Sequence, residues 1–169
     1  MDLLNILSGK QSKAATLSIV QWVGTSQKRF DELFDLFTGP DLRLAQLSGT
    51  ALSNCVMQHP GFIKRHWTKL LTNLERPDLH GAITRNTVRL LQYTSIPEAY
   101  QGIVMVLCFK LASAPAEKPA VKAFSLTILD KLSKLYPEIR NELKLMIRSQ
   151  WDEEGPAFRS RGKKILAID

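Results

Sequence analysis

A hydrophobic pattern the length of a helix recurs along this chain about every 38 residues. Ile83, Leu90 and Leu91 return as Val121, Ile128 and Leu129, and an earlier copy reads Leu44, Ala51 and Leu52. Each copy runs into a proline: Pro60, Pro97 and Pro137. A period in this range belongs to arrays of stacked helical pairs, in which no repeat can hide its apolar stripe without its neighbours.

The spacing predicts the helices in order. Ala15, Ile19, Val20 and Val23 share one face of a helix over 12–23. Phe30, Leu33, Phe34 and Phe37 follow the i, i+3, i+4, i+7 rule on a second, which Gly39-Pro40-Asp41 ends. The next pairs are expected at about 42–58 with 62–74, 79–94 with 97–112, and 119–135 with 137–150. A helix at 158–168, with Phe158, Ile165 and Leu166 in the places of Val121, Ile128 and Leu129, closes the array as a half-repeat. The run 103–109 reads as a buried helix. No linker or low-complexity tract interrupts the period, so residues 1–169 read as a single domain.

Leu42-Arg43-Leu44-Ala45 through Ala51-Leu52 to His59-Pro60 resembles the HEAT and armadillo class. So does Ala120-Val121-Lys122-Ala123 through Ile128-Leu129 to Tyr136-Pro137. The third unit departs from the pattern, with Arg85 and Asn86 where the fourth has Ala123 and Phe124. The resemblance implies an all-α, right-handed α–α superhelix of about four helical pairs plus a C-terminal half-repeat. It also implies that the second helices line a concave surface. The chain further resembles a group of small bacterial HEAT-like proteins, some of which carry an adenylosuccinate-lyase name. Lyases of that superfamily resemble long bundles with a serine-rich SSxMPxKxN loop, and no such loop occurs here.

Residue constellations for catalysis are missing from the sequence. No GxSxG, GxxxxGK[ST] or GxGxxG occurs, and His59, His66 and His80 have no neighbours at metal-ligand spacing. These histidines read as surface or capping residues. No catalytic residue, cofactor or metal is therefore expected. The carboxylates Asp152, Glu153 and Glu154 read as a solvated loop, and Asp31, Glu32 and Asp35 as the outward face of their helix. Cys55 and Cys108 lack a CxxC spacing and read as small buried hydrophobes in a reducing compartment. No apolar run approaches a membrane span, and the first residues do not resemble a signal peptide. The expected location is the cytoplasm.

Charge supplies the functional lead. The chain has 23 basic and 16 acidic residues, a formal net charge of +7, which favours acidic partners. Arg140, Lys144 and Arg148 repeat at i, i+4, i+8, and Arg65 and Lys69 at i, i+4. Neither set has an acid at i+4 that would neutralise it, since Glu142 lies off the stripe and Asp152 begins past the helix end, and both fall on second helices. Together with Arg159, Arg161, Lys163 and Lys164 they read either as a solvated basic surface or as an anion-binding groove. The expected function is a non-enzymatic interaction module that binds another protein or an acidic segment on its concave face. The alternative is a nucleic-acid binder, or a repair enzyme resembling the alkylpurine DNA glycosylases. Those enzymes use tryptophan and aspartate on that face, whereas Trp67 falls on an apolar stripe here.

Two outcomes follow. Ala51, Leu90 and Ile128 occupy one register, so Ile128→Asp places an unpaired charge in the core and unfolds the protein. A thermal melt within a degree or two of the parent rejects that register. Purified protein incubated with adenylosuccinate releases no fumarate above the blank, and steady turnover in a clean preparation overturns the reading.

Overall fold

A computed structural model describes residues 2–167, and the chain is helical throughout them with no strand. Ile168, the expected end of the last helix, lies outside the described residues. The chain divides into two compact units, residues 1–95 and 96–169. The division falls inside the third of the expected pairs.

The first unit contains α1 (Leu3–Ser8), α2 (Lys13–Val23), α3 (Gln27–Phe37), α4 (Leu42–Gln58), α5 (Trp67–Thr72) and α6 (Gly81–Leu91). Side chains cap most of their starts. Ser12 accepts from the Ala15 N–H, Ser26 from Arg29, Asp41 from Leu44, and His80 Nδ1 from Ala82. Gly24, at φ 51°, ends α2 in a backbone region that disfavours any side chain. The short α1 was not anticipated. It is only six residues long and starts on Asp2, which caps Leu4 and Asn5.

Helix α4 packs against α2, α3 and α6. Ala45, Ser48, Gly49, Ala51, Leu52, Ser53, Cys55 and Val56 are all buried on it. Phe30, Leu33, Phe34 and Phe37 face it from α3, each with no exposure. Gly49 permits the close approach of α6: a Cβ there would sit 2.7 Å from Asn86 Nδ2 and 3.1 Å from Phe37 Cε2. Asn86, the departure from the repeat, is buried and donates to the Ala82 carbonyl at 3.0 Å. Ser53 beside it accepts from Arg89 at 2.9 Å.

The expected helix over 62–74 is three pieces: a 3-10 segment Pro60–Arg65, α5, and a 3-10 turn Asn73–Glu75. The break has a tertiary cause. Gln27 Nε2 donates to the Phe62 carbonyl at 3.0 Å, while the His66 N–H goes to Ile63 at 2.9 Å. The Phe62 carbonyl, which a continuous α-helix would pair with residue 66, is thus taken by α3.

The second unit contains α7 (Glu98–Ser113), α8 (Pro119–Leu135), a 3-10 turn Pro137–Ile139, α9 (Arg140–Ser149) and α10 (Pro156–Leu166). Helix α8 packs against α7, α9 and α10. It buries Val121, Ala123, Leu126, Ile128, Leu129 and Leu132. Ala51, Leu90 and Ile128 are 1%, 0% and 0% exposed, so the register read from the period holds. Among these apolar residues sits Lys122, 2% exposed, ion-paired with Glu154 and 3.2 Å from Gln150 Oε1. Glu154, with a side chain 13% exposed, is therefore not part of a solvated loop.

Helix α7 corrects a second expectation. Val104, Cys108, Leu111 and Ala112 are buried, but Ile103 is 58% and Val106 70% exposed. The helix is apolar on more than one side, and only one side is covered. Gly49→Ala should lower stability by about 1–3 kcal/mol, because the new methyl has to displace Asn86 or Phe37. Urea unfolding with no change in midpoint would show that α4 and α6 have room to separate.

Candidate functional site

In the first unit the bases of the second-type helix are closed off by acids. Arg65, on the 3-10 segment, pairs with Asp31 of α3. Lys69, on α5, pairs with Asp35 at 2.7 Å and lies 5.7 Å from the Phe34 ring centre. His66, expected at the surface or on a cap, does sit at the cap between the 3-10 segment and α5. Its ring is half-buried, 2.6 Å from the other Asp31 oxygen and stacked on Phe34 at 4.2 Å. Asp31 also accepts from Gln27 at 2.9 Å. Burial alone would raise the Asp31 carboxyl. The hydrogen bonds from Gln27 and His66 and the charges of Arg65 and His66 outweigh it and hold the group below its ordinary value.

These ties share a register. Asp31 reaches Arg65 and Asp35 reaches Lys69 across 34 residues each. The acids that compensate the bases lie one helical pair earlier, not at i+4.

The second unit repeats the geometry without the acids. Tyr136 donates to Gln101 at 2.6 Å and Ser113 meets Met146 at 3.0 Å, across 35 and 33 residues, so α9 runs beside α7 in the same direction. Counting back the same 34 residues, the α7 positions that correspond to Asp31 and Asp35 hold Val106 and Lys110. Arg140 and Lys144 are half-buried and Arg148 is exposed, as are Lys110 and Leu145. Among the described residues, no carboxylate pairs with Arg140 or Arg148. Each basic set thus lies on a second-type helix of its own unit. One is neutralised by the preceding helix, and the other borders an exposed apolar face.

The remaining candidates fall into structural roles. Trp67 is 3% exposed in the core. Trp22 is half-buried, with Arg29 stacked over it at 5.5 Å. Arg159 donates to the Trp151 and Asp152 carbonyls and so closes the end of α9. Burial pushes the Cys55 and Cys108 thiols up to about 12, which leaves them protonated and unreactive at neutral pH. Among the described residues, no three His, Cys, Asp or Glu side chains converge on a metal position. No helix among them is long and apolar enough to cross a membrane.

Compared with known families, residues 3–168 match the HEAT repeat domain. No curated protein and no solved structure matches the chain.

The Asp31 cluster has a defined pH signature. A carboxyl whose folded value is depressed stabilises the fold above its unfolded value, 3.8, and loses that contribution as pH falls through the folded one. Asp31→Asn should cost about 1 kcal/mol at neutral pH, a figure kept small by solvent screening around Arg65. The gap between parent and variant in urea unfolding should narrow below pH 3.8. A gap of constant size down through that range would show that Asp31 is not held ionised by its partners.

Proposed function

The chain belongs to the HEAT repeat domain family, and on that premise we propose that it is a non-enzymatic interaction module binding an acidic, amphipathic segment of another protein. HEAT repeats are in general protein-interaction scaffolds. The surface that supports the proposal is formed by α7 and α9. Ile103 and Val106, with Leu145, supply apolar anchors. Lys110, Arg140, Lys144 and Arg148 supply positive charge around them.

One observation carries this reading. At the 34-residue register α3 gives Asp31 and Asp35 to Arg65 and Lys69, whereas the corresponding α7 positions hold Val106 and Lys110, and no described carboxylate pairs with Arg140 or Arg148. The first pair of helices is complementary within itself. The second leaves apolar area and charge of one sign side by side. A partner that carries both apolar side chains and carboxylates matches both, and its affinity resides chiefly in the apolar anchors. Arg65 and Lys69 stand outside this surface because Asp31 and Asp35 already hold them. The proposal locates the protein in the cytoplasm, where buried thiols stay reduced.

A helical peptide of alternating glutamate and leucine turns, and a short DNA duplex, serve as probes for fluorescence anisotropy at low and high salt. Ile103→Glu with Val106→Glu should weaken the peptide by about tenfold or more. Arg140→Glu, Lys144→Glu and Arg148→Glu together should weaken it mainly at low salt. Equal binding by parent and both variants removes the proposed surface. Duplex binding that collapses with salt and ignores Ile103 and Val106 favours a nucleic-acid partner.

A further inference from the structure

A small recess of about 80 Å³ opens between α8 and α10, lined by Thr127, Asp130, Arg161, Lys164 and Ile165. It lies on first-type helices of the second unit and is independent of the α7 and α9 surface. Arg161 and Lys164 stand at i, i+3 on α10, one half-buried and one exposed. Among the described residues, neither has a carboxylate partner. The one acid in the lining, Asp130, is engaged by Lys134 at 3.4 Å. Outside the lining, on the same turn of α8, burial and then the charge of Lys134 hold the Lys131 ammonium below the ordinary lysine value. Ile165, 4% exposed, adds an apolar side chain to the lining.

The lining sets two cations against one carboxylate that Lys134 also engages, so a net positive charge faces the recess and favours an anion there. The recess is compact, about 80 Å³, with room for one tetrahedral oxyanion. Arginine and lysine together supply a planar fork and a point charge for such a group. The Thr127 hydroxyl, which donates to the Ala123 carbonyl at 3.2 Å, can turn to donate to the anion. We propose that the recess is a phosphate site, taking one phosphate group, free or at the tip of a monoester, on Arg161 and Lys164.

The test uses thermal melts of the full chain in inorganic phosphate, phenyl phosphate and sodium chloride at matched ionic strength. A ligand that binds only the folded state raises Tm with concentration. Both phosphates should raise Tm over chloride in the parent and saturate. Equal responses identify the free anion, and a larger response to phenyl phosphate identifies the monoester. Phosphate also stabilises proteins generally by exclusion from their surface, so the variants decide. Arg161→Gln with Lys164→Gln should abolish the saturable shift, and Lys164→Glu alone should weaken it by about tenfold while leaving packing intact. Arg140→Gln with Arg148→Gln should keep it. A shift absent from the parent, or one that survives loss of Arg161 and Lys164, overturns the site.

Discussion

Two helices of 17 residues, α4 and α8, are each gripped from several sides, and this sandwiching is the constraint from which the rest of each unit follows. A helix covered by several neighbours cannot keep one polar face. It therefore carries small residues where partners approach and branched or bulky ones where they interdigitate. Aligned from their first residues, Ser48 falls on Ser125, Ala51 on Ile128, Leu52 on Leu129 and Pro60 on Pro137. The buried serines return their hydroxyls to carbonyls of their own helix, Ser48 to Ala45 and Ser125 to Val121, so a polar side chain enters the core without an unmet donor.

The second-type helices obey a different rule, because they have a solvent side and so carry charge. Their charges are matched between neighbouring helices of a layer, across about one repeat. The exposed pairs Arg65–Asp31 and Lys69–Asp35 contribute little stability in water. Their larger effect is to offset two cations on the surface with carboxylates. The α7 positions at that spacing hold Val106 and Lys110 in place of acids, and no described carboxylate pairs with Arg140 or Arg148. A few side-chain identities thus change the charge balance of a layer while the backbone pattern stays the same.

The helical pairs, their proline turns and the inward stripe of Phe30, Leu33, Phe34 and Phe37 were legible in the sequence because all are local periodicities. What escaped was set by partners about 30 residues away or more. Lys122 reads as a surface lysine in its own helix, and only Glu154 and Gln150 make its burial tolerable. The split of 60–75 depends on Gln27, and the ion pairing of Arg65 and Lys69 on Asp31 and Asp35. The exposure of Ile103 and Val106 was hidden for another reason. Helix α7 is apolar on more than one side, so its pattern states that it is apolar without stating which side is covered. The recess that joins Thr127 and Asp130 to Arg161 and Lys164 spans two helices and gave no signal within either segment alone.

The placement of α10 shows how the unusual residues act together. Gly162 lets α10 approach closely, since a Cβ there would meet Ile147 Cγ2 at 2.8 Å and Trp151 Cζ3 at 3.1 Å. Phe158 and Ile165 fill the remaining contact, at 0% and 4% exposure. The turn leading into the helix is fixed by Glu154 on Lys122 and by Arg159 on the Trp151 and Asp152 carbonyls. A buried ion pair adds little net stability compared with apolar residues of the same volume, yet removing one partner strands the other at a cost of about 3–5 kcal/mol. Its effect is therefore on geometry: only one seating of the turn satisfies both charges. That seating also fixes where α10 brings Arg161 and Lys164 to the recess they line with Thr127 and Asp130 of α8.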